Sequence, residues 1–194
     1  QVDTTGTYWV EETAATGCTS FDEIAVTTYR DTTIFYNQWY FGERAGIEFD
    51  PPVRALADEN IMDSPEGCAS FSDVNGDLLF YTNGNTVWNK QHEIMRNGEM
   101  IGGDSTSTQS AIAVRAPYET TVYYIFTTNE IEADSTFTSY SIVDMKNDGA
   151  NGMVVAKNIP LHMNSTERLT VTAFFNGISL LGHEHGNNTF RQYP

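Results

Sequence analysis

The sequence predicts an all-β fold: a partial β-propeller of about three antiparallel meanders, preceded by the last strands of a sandwich. Three observations carry this reading. Residues 67–95, GCASFSDVNGDLLFYTNGNTVWNKQHEIM, read as three short strands cut by two Asn-Gly turns. Similar strand groups recur further along at a spacing of about 40 to 50 residues, the repeat length of propeller blades. The chain is also rich in Thr, Tyr, Phe, Asn and Gly, which favour sheet and turn over helix.

In the first meander, Ala69, Phe71 and Asp73 alternate with Ser70 and Ser72. Asn75-Gly76 is expected to supply a hairpin with both central residues at positive φ. Leu78–Tyr81 form the next strand, and Asn83-Gly84 leads into Thr86, Val87 and Trp88, whose indole should be buried between sheets. A second unit, Ser110 to Met145, holds strands at 111–114, 122–126 and 137–143, with an acidic, exposed loop over 128–136. The third runs from Arg168 to about Tyr193. Propellers close with about four to eight blades. Three units therefore leave an open edge, and the 194 residues read as a window on a longer chain that would associate through its edges if expressed alone.

The first 33 residues differ in character. Thr7–Glu11 and Phe21–Thr27 alternate as strands joined across Ala15–Thr19. A lone hairpin is marginally stable, so 1–33 is read as the end of one domain and 37–194 as another. The pattern GTYWVE, GCT, DEIAV resembles the last two strands of the immunoglobulin-like or polycystic-kidney-disease-type repeats of bacterial surface proteins. From Trp39 onward, WYFGERAGIEFDPP, the 67–95 meander, STQSAIAV, YYIFTT, SYSIVDM and GHEHGNNTF occur in order. They resemble the N-terminal propeller-type domain of large type IX-secreted surface proteins of gliding bacteria, from about Asn37 to Phe190. Members of that family often carry Asp where this chain has Asn83, and Trp where it has His185. The resemblance implies a secreted, extracellular or cell-surface location.

Net charge bounds the partners. At −16, the chain lacks the clustered Lys and Arg that nucleic acid or an anionic membrane would require. It has no apolar run near the ~20 residues that cross a bilayer, and no basic-then-apolar leader opens it at Gln1. A soluble mature product or internal fragment is expected. Cys18 and Cys68 are read as two buried thiols, with a disulfide as the alternative.

Each candidate site has a plainer reading beside it. Asp73, Asn75 and Asp77 place oxygen side chains at alternate positions, as a calcium loop does, but position 84 is Gly where an EF-hand has its bidentate Glu. A hairpin turn is the preferred reading, so no cofactor is expected, with calcium as the alternative. His183 and His185 share a strand face and could ligate zinc given a third ligand, yet a polar strand end is preferred. Residues 82–88 resemble the Asp-box turn of sialidase blades, one residue too long and without the Asp. Trp39, Tyr40, Phe41, Tyr123 and Tyr124 could stack on carbohydrate, although inter-blade core is the preferred role. Ser105 has no identified base, and no nucleophile motif or phosphate-cradling glycine loop is present, so no catalytic residue is assigned. Thr4, Thr32, Ser105 and Ser135, each after an Asp, resemble the hydroxyl glycosylation sites of gliding bacteria; Asn164 and Asn187 fit the Asn-linked sequon.

The function expected is a non-catalytic module in adhesion, surface assembly or ligand display, with other surface proteins, glycans and further domains of the same chain as partners. The alternative is a carbohydrate-active propeller enzyme, which would need two facing carboxylates.

Overall fold

A computed structural model describes residues 6–13, 19–26, 36–49, 51–56, 60–132, 135–174 and 177–194. The chain forms two compact units, Gln1–Thr32 and Thr33–Pro194. The first holds an antiparallel hairpin of β1 (Gly6–Thr13) and β2 (Thr19–Val26), in register from Gly6↔Val26 to Thr13↔Thr19.

The second unit is all-β as expected; its described helical residues are a single 3-10 turn at Asp148–Ala150. Its strands follow in chain order. The first group is β3 (Gln38–Glu43), β4 (Ala45–Glu48), β5 (Arg54–Ala55) and β6 (Asp63–Ser64), a four-stranded sheet of order β5-β4-β3-β6. The meander β7 (Ala69–Ser72), β8 (Leu78–Thr82), β9 (Thr86–Asn89) and β10 (Ile94–Glu99) comes next. A second meander follows: β11 (Ala111–Arg115), β12 (Val122–Thr128), β13 (Phe137–Asp144) and β14 (Met153–Met163). Last is a three-stranded sheet of β15 (Ser165–Phe174), β16 (Gly177–Glu184) and β17 (Phe190–Tyr193).

The two meanders are not separate sheets. A parallel bridge, Arg96↔Met153, joins β10 to β14 and gives one eight-stranded sheet of order β11-β12-β13-β14-β10-β9-β8-β7, whose edge strands β7 and β11 lie beside each other. Between the two halves sits the main core: Phe71, Phe80, Val87, Met95, Ile101, Ala111, Ala113, Tyr123, Ile125, Val143, Met145 and Val154. Period-two alternation explains the next layers except at Leu78, which a register shift between β7 and β8 turns away from Phe80. Leu78, Tyr81 and Trp88 on the opposite face of the first meander pack with Tyr40 and Met62 of the first sheet. Ile112, Val114, Tyr124, Phe126 and Tyr140 on the opposite face of the second meander meet Leu169, Val171, Ile178 and Leu180 of the last sheet. Trp88 is buried, stacked on Tyr81 at 5.4 Å.

The structure corrects several expectations. The two Asn-Gly turns place only the glycine at positive φ, Gly76 at 90° and Gly84 at 85°. At the first, Gly76 N–H donates to Asp73 C=O (3.1 Å) and Asp73 N–H to Asp77 C=O (2.8 Å), a three-residue loop with its bulge glycine rather than a two-residue turn. Both meanders have the four strands expected from about residue 40, with β10 and β14 at segments without a predicted strand, and the β3–β6 sheet is additional. β14 was not located because Asn158 (φ 59°) and Pro160 interrupt its alternation, and its pairing with β13 shifts register around them. The 128–136 loop is not simply exposed, since Thr128 and Thr136 at its ends are buried. Cys68 is a half-buried free thiol, while Cys18 lies outside the described residues.

Candidate functional site: a groove at the first strands

The first strand of every strand group in the second unit reaches one groove of about 750 Å³. Its walls include Trp39 and Phe41 of β3, Ala69 and Ser70 of β7, Ala111–Val114 of β11 and Val171 of β15. That volume is in the range of small-ligand pockets, ~300–1,000 Å³.

Alternation sets the aromatic wall. Tyr40 points into the core and stacks on Tyr81 at 4.9 Å, so its neighbours Trp39 (51% exposed) and Phe41 (42%) point out. Trp39 packs edge-on against Phe49 at 5.0 Å, which orients the indole while leaving much of it open. These two positions correct the core assignment made for all five aromatics; Tyr40 and Tyr123 are core, and Tyr124 is half-buried in the outer layer.

Side chains replace backbone pairing between successive first strands. Ser70 and Ser72 hydroxyls accept the N–H groups of Tyr40 (2.9 Å) and Gln38 (3.3 Å), tying β3 to β7. Gly67 then lets the chain entering β7 touch the chain entering β11: a Cβ there would lie 2.2 Å from the backbone carbon of Gln109. Gln109 bonds both backbone groups of Leu169, accepting its N–H at 2.8 Å and donating to its C=O at 2.6 Å, and so fastens β15 beside β11. Glu167 adds a second fastening, accepting the Thr108 N–H (2.8 Å), the Ile131 N–H (2.7 Å) and the Thr108 hydroxyl. These hydrogen bonds hold its carboxyl below the usual range, against the desolvation that would raise it.

The chemistry of the walls is that of binding. Glu66 is the one ionisable carboxylate among the described lining residues. Burial pushes the Cys68 thiol up, so it stays protonated near neutrality and presents no thiolate. The Ser70 hydroxyl is engaged with both backbone groups of Tyr40 and touches no base.

Of the sequence-derived candidates, the aromatics Trp39, Tyr40 and Phe41 line this groove, and the calcium, zinc and glycosylation candidates do not. Asp73 Oδ1 accepts the N–H groups of Asn75 (2.8 Å) and Asp77 (3.0 Å), so that carboxylate caps the β7–β8 turn, with Asn75 and Asp77 exposed beside it. Asn83 Oδ1 accepts from Asn85 (3.1 Å) and Thr86 (2.9 Å), an acceptor role an Asp would fill equally. His183 lies over Phe190 at 4.7 Å, and exposed His185 uses its backbone N–H on Asn164 C=O. Among the described residues no group of three or more His, Cys, Asp or Glu is placed to hold a metal. Ser105 is half-buried in a turn in which Asp104 holds the Thr106 N–H; Ser135 is exposed; Thr4 and Thr32 lie outside the described residues. Sequence reasoning missed Gly67, Gln109 and Glu167, because their partners are 40 or more residues away or are backbone atoms. Comparison with models of protein families, with curated proteins and with solved structures found no match.

Proposed function

We propose that residues 37–194 form a propeller-type domain, that 1–33 closes an immunoglobulin-like repeat, and that together they serve as a non-catalytic binding and display module of a secreted or cell-surface bacterial protein. The supporting observation is the shared groove. In a radial array the innermost strand of each blade faces a common axis, and here β3, β7, β11 and β15 contribute to one cavity in chain order. The aromatic wall and single carboxylate suit a ligand held by stacking and apolar contact, whereas glycoside hydrolysis needs two facing acids. The type IX-secreted surface proteins that the sequence resembles fit such a role, with glycans or other surface proteins as ligands.

Calorimetry on a glycan panel, beside a hydrolysis assay on the same glycans, tests the reading. Saturable binding without turnover, weakened by Trp39→Ala, is expected; Trp39 is exposed enough that this change leaves the fold intact. Turnover would replace the module with a carbohydrate-active enzyme, and binding indifferent to Trp39→Ala would move the ligand out of the groove.

A further inference from the structure

The groove at the first strands carries a local charge that its aromatic wall does not explain. Exposed Glu66 lines it, and no Lys, Arg or His does so among the described residues. Elsewhere, carboxylates on the strands find cations: Glu48 pairs with Arg54, and Glu184 with Arg191. Among the described residues, no hydrogen bond or ion pair engages the Glu66 carboxylate.

The backbone beside Glu66 is pinned. Gly67 N–H donates to Ser107 C=O at 3.2 Å, and Gly67 C=O accepts the Ser64 hydroxyl at 2.8 Å. Gly67 also packs on the Gln109 backbone too closely for any side chain. The scaffold thus sets the place of the acid before a ligand arrives, which lowers the cost of binding. Trp39, Phe41 and Tyr36 add exposed ring surface to the same groove. A ring face attracts a cation through its quadrupole, and it offers flat apolar cover to the carbon face of a sugar ring.

These features sort the ligands by charge. An anion would meet Glu66 with no cation in the lining to offset the repulsion. A hard metal ion takes six or more oxygen ligands, for which one carboxylate among aromatic and aliphatic side chains is a poor set. A neutral ligand would leave the acid unused. An organic cation uses both the acid and the rings.

We propose that the groove takes a cationic amino sugar, with its ring against Trp39 and Phe41 and its protonated amine at Glu66. The inference rests on the glycan reading above and narrows it. The preference comes from one carboxylate of the lining, and not from the net charge of −16 on the chain.

The test is calorimetry on the full 194-residue chain with a glucosamine trisaccharide and its N-acetylated counterpart, at a mildly acidic pH that protonates the amines. The two sugars share ring and linkage and differ in charge. The amine form should bind about fivefold tighter, the scale of an exposed ion pair with a cation–π contact, and added salt should shrink the difference. Glu66→Gln, which breaks no hydrogen bond, should abolish the difference, and Trp39→Ala should weaken both sugars. Equal binding of the two sugars by the wild type overturns the amine preference and leaves the glycan reading standing. A preference that survives Glu66→Gln belongs to the overall charge of the chain and overturns the inference equally. Binding of neither sugar overturns it as well, and the wider glycan panel then decides whether the reading beneath it falls too.

Discussion

Two layers of the second unit share the strands of one meander and end differently. On one face of β11–β14, Ala111, Ala113, Tyr123, Ile125, Val143 and Val154 pack against the opposing meander and are buried, with only Ala69 and Leu79 partly buried beside them. On the other face, Ile112, Val114, Tyr124 and Tyr140 stand between the meander and the last sheet and remain half-buried. Both layers carry large aromatics, Phe71, Phe80 and Tyr123 in the first and Tyr124, Phe126 and Tyr140 in the second. The first is sealed by the bridge between β10 and β14, and the second is only partly covered. The closed layer should therefore carry more of the stability than the open one, and the groove at the first strands should carry recognition.

The sharpest way to break this contrast is paired truncation. Phe80→Ala, in the closed layer and fully buried, should cost ~3–5 kcal/mol, as should Trp88→Ala behind it. Ile178→Ala, in the open layer, should cost no more than ~1 kcal/mol because its side chain keeps part of its contact with water. Equal losses in melting temperature for Phe80 and Ile178 would erase the distinction between the layers.

Glu167 tests whether the last sheet depends on its fastenings. Glu167→Gln leaves one N–H of Thr108 or Ile131 facing an amide donor, a loss of ~1–3 kcal/mol at neutral pH. Because its folded carboxyl lies below the usual range, the wild-type contribution is complete above the unfolded value of about 4.3 and fades as pH falls through the folded one. Urea titrations at stepped pH should show a shallower acid loss in the variant; parallel curves would remove Glu167 from that role.

His162 offers a smaller effect at the same border. Its Nδ1 meets the Tyr193 hydroxyl at 3.0 Å, and burial of the ring holds its pKa below the usual value. The folded state thus binds the proton less readily than the unfolded chain. Its contribution is full above about pH 6.5 and declines with acidification below it. Amide protection in the last sheet, corrected for the intrinsic pH dependence of exchange, should decline as pH falls below about 6.5, and His162→Phe should remove that step. A step that survives the substitution assigns it to another group.

The smallest expected change in stability belongs to the groove at the first strands. Trp39→Ala should shift unfolding by no more than ~0.5 kcal/mol, as for other surface positions, because the indole is half-exposed. A loss comparable to that of Phe80 would mean that Trp39 is core and that the groove wall is misread.

Local pattern made much of this protein legible. The strands at 78–82, 111–115, 122–128 and 137–144 lie close to where alternation and turn residues put them, and Trp88 is buried as its setting between two turns suggested. The strands that escaped were β3, β4 and β10 together with those without a clean period: β14, interrupted at Asn158, and the two-residue β5 and β6, whose pairing exists only because β3 and β4 stand beside them. The candidate sites fared differently for a related reason. Asp73 and Asn83 were visible as polar turn residues, but only the hydrogen bonds show their oxygens occupied by the turns' own N–H groups.

The β class, the approximate strand spacing and the apolar member of each alternating pair were readable from residues alone, because they follow from the two-residue period and from local turn chemistry. Tertiary structure decided which apolar face would close and which would stay open. That choice depends on contacts made across the chain: Gly67 against Gln109, Gln109 on Leu169, Glu167 on Thr108 and Ile131, and β10 on β14. A side chain's alternation states that it wants cover, but the cover is supplied by a strand distant in sequence. Trp39 and Tyr40 are aromatic chain neighbours on opposite faces of β3, and it is Tyr81 and Met62, packed on one face, that bury Tyr40 while Trp39 stays half-exposed.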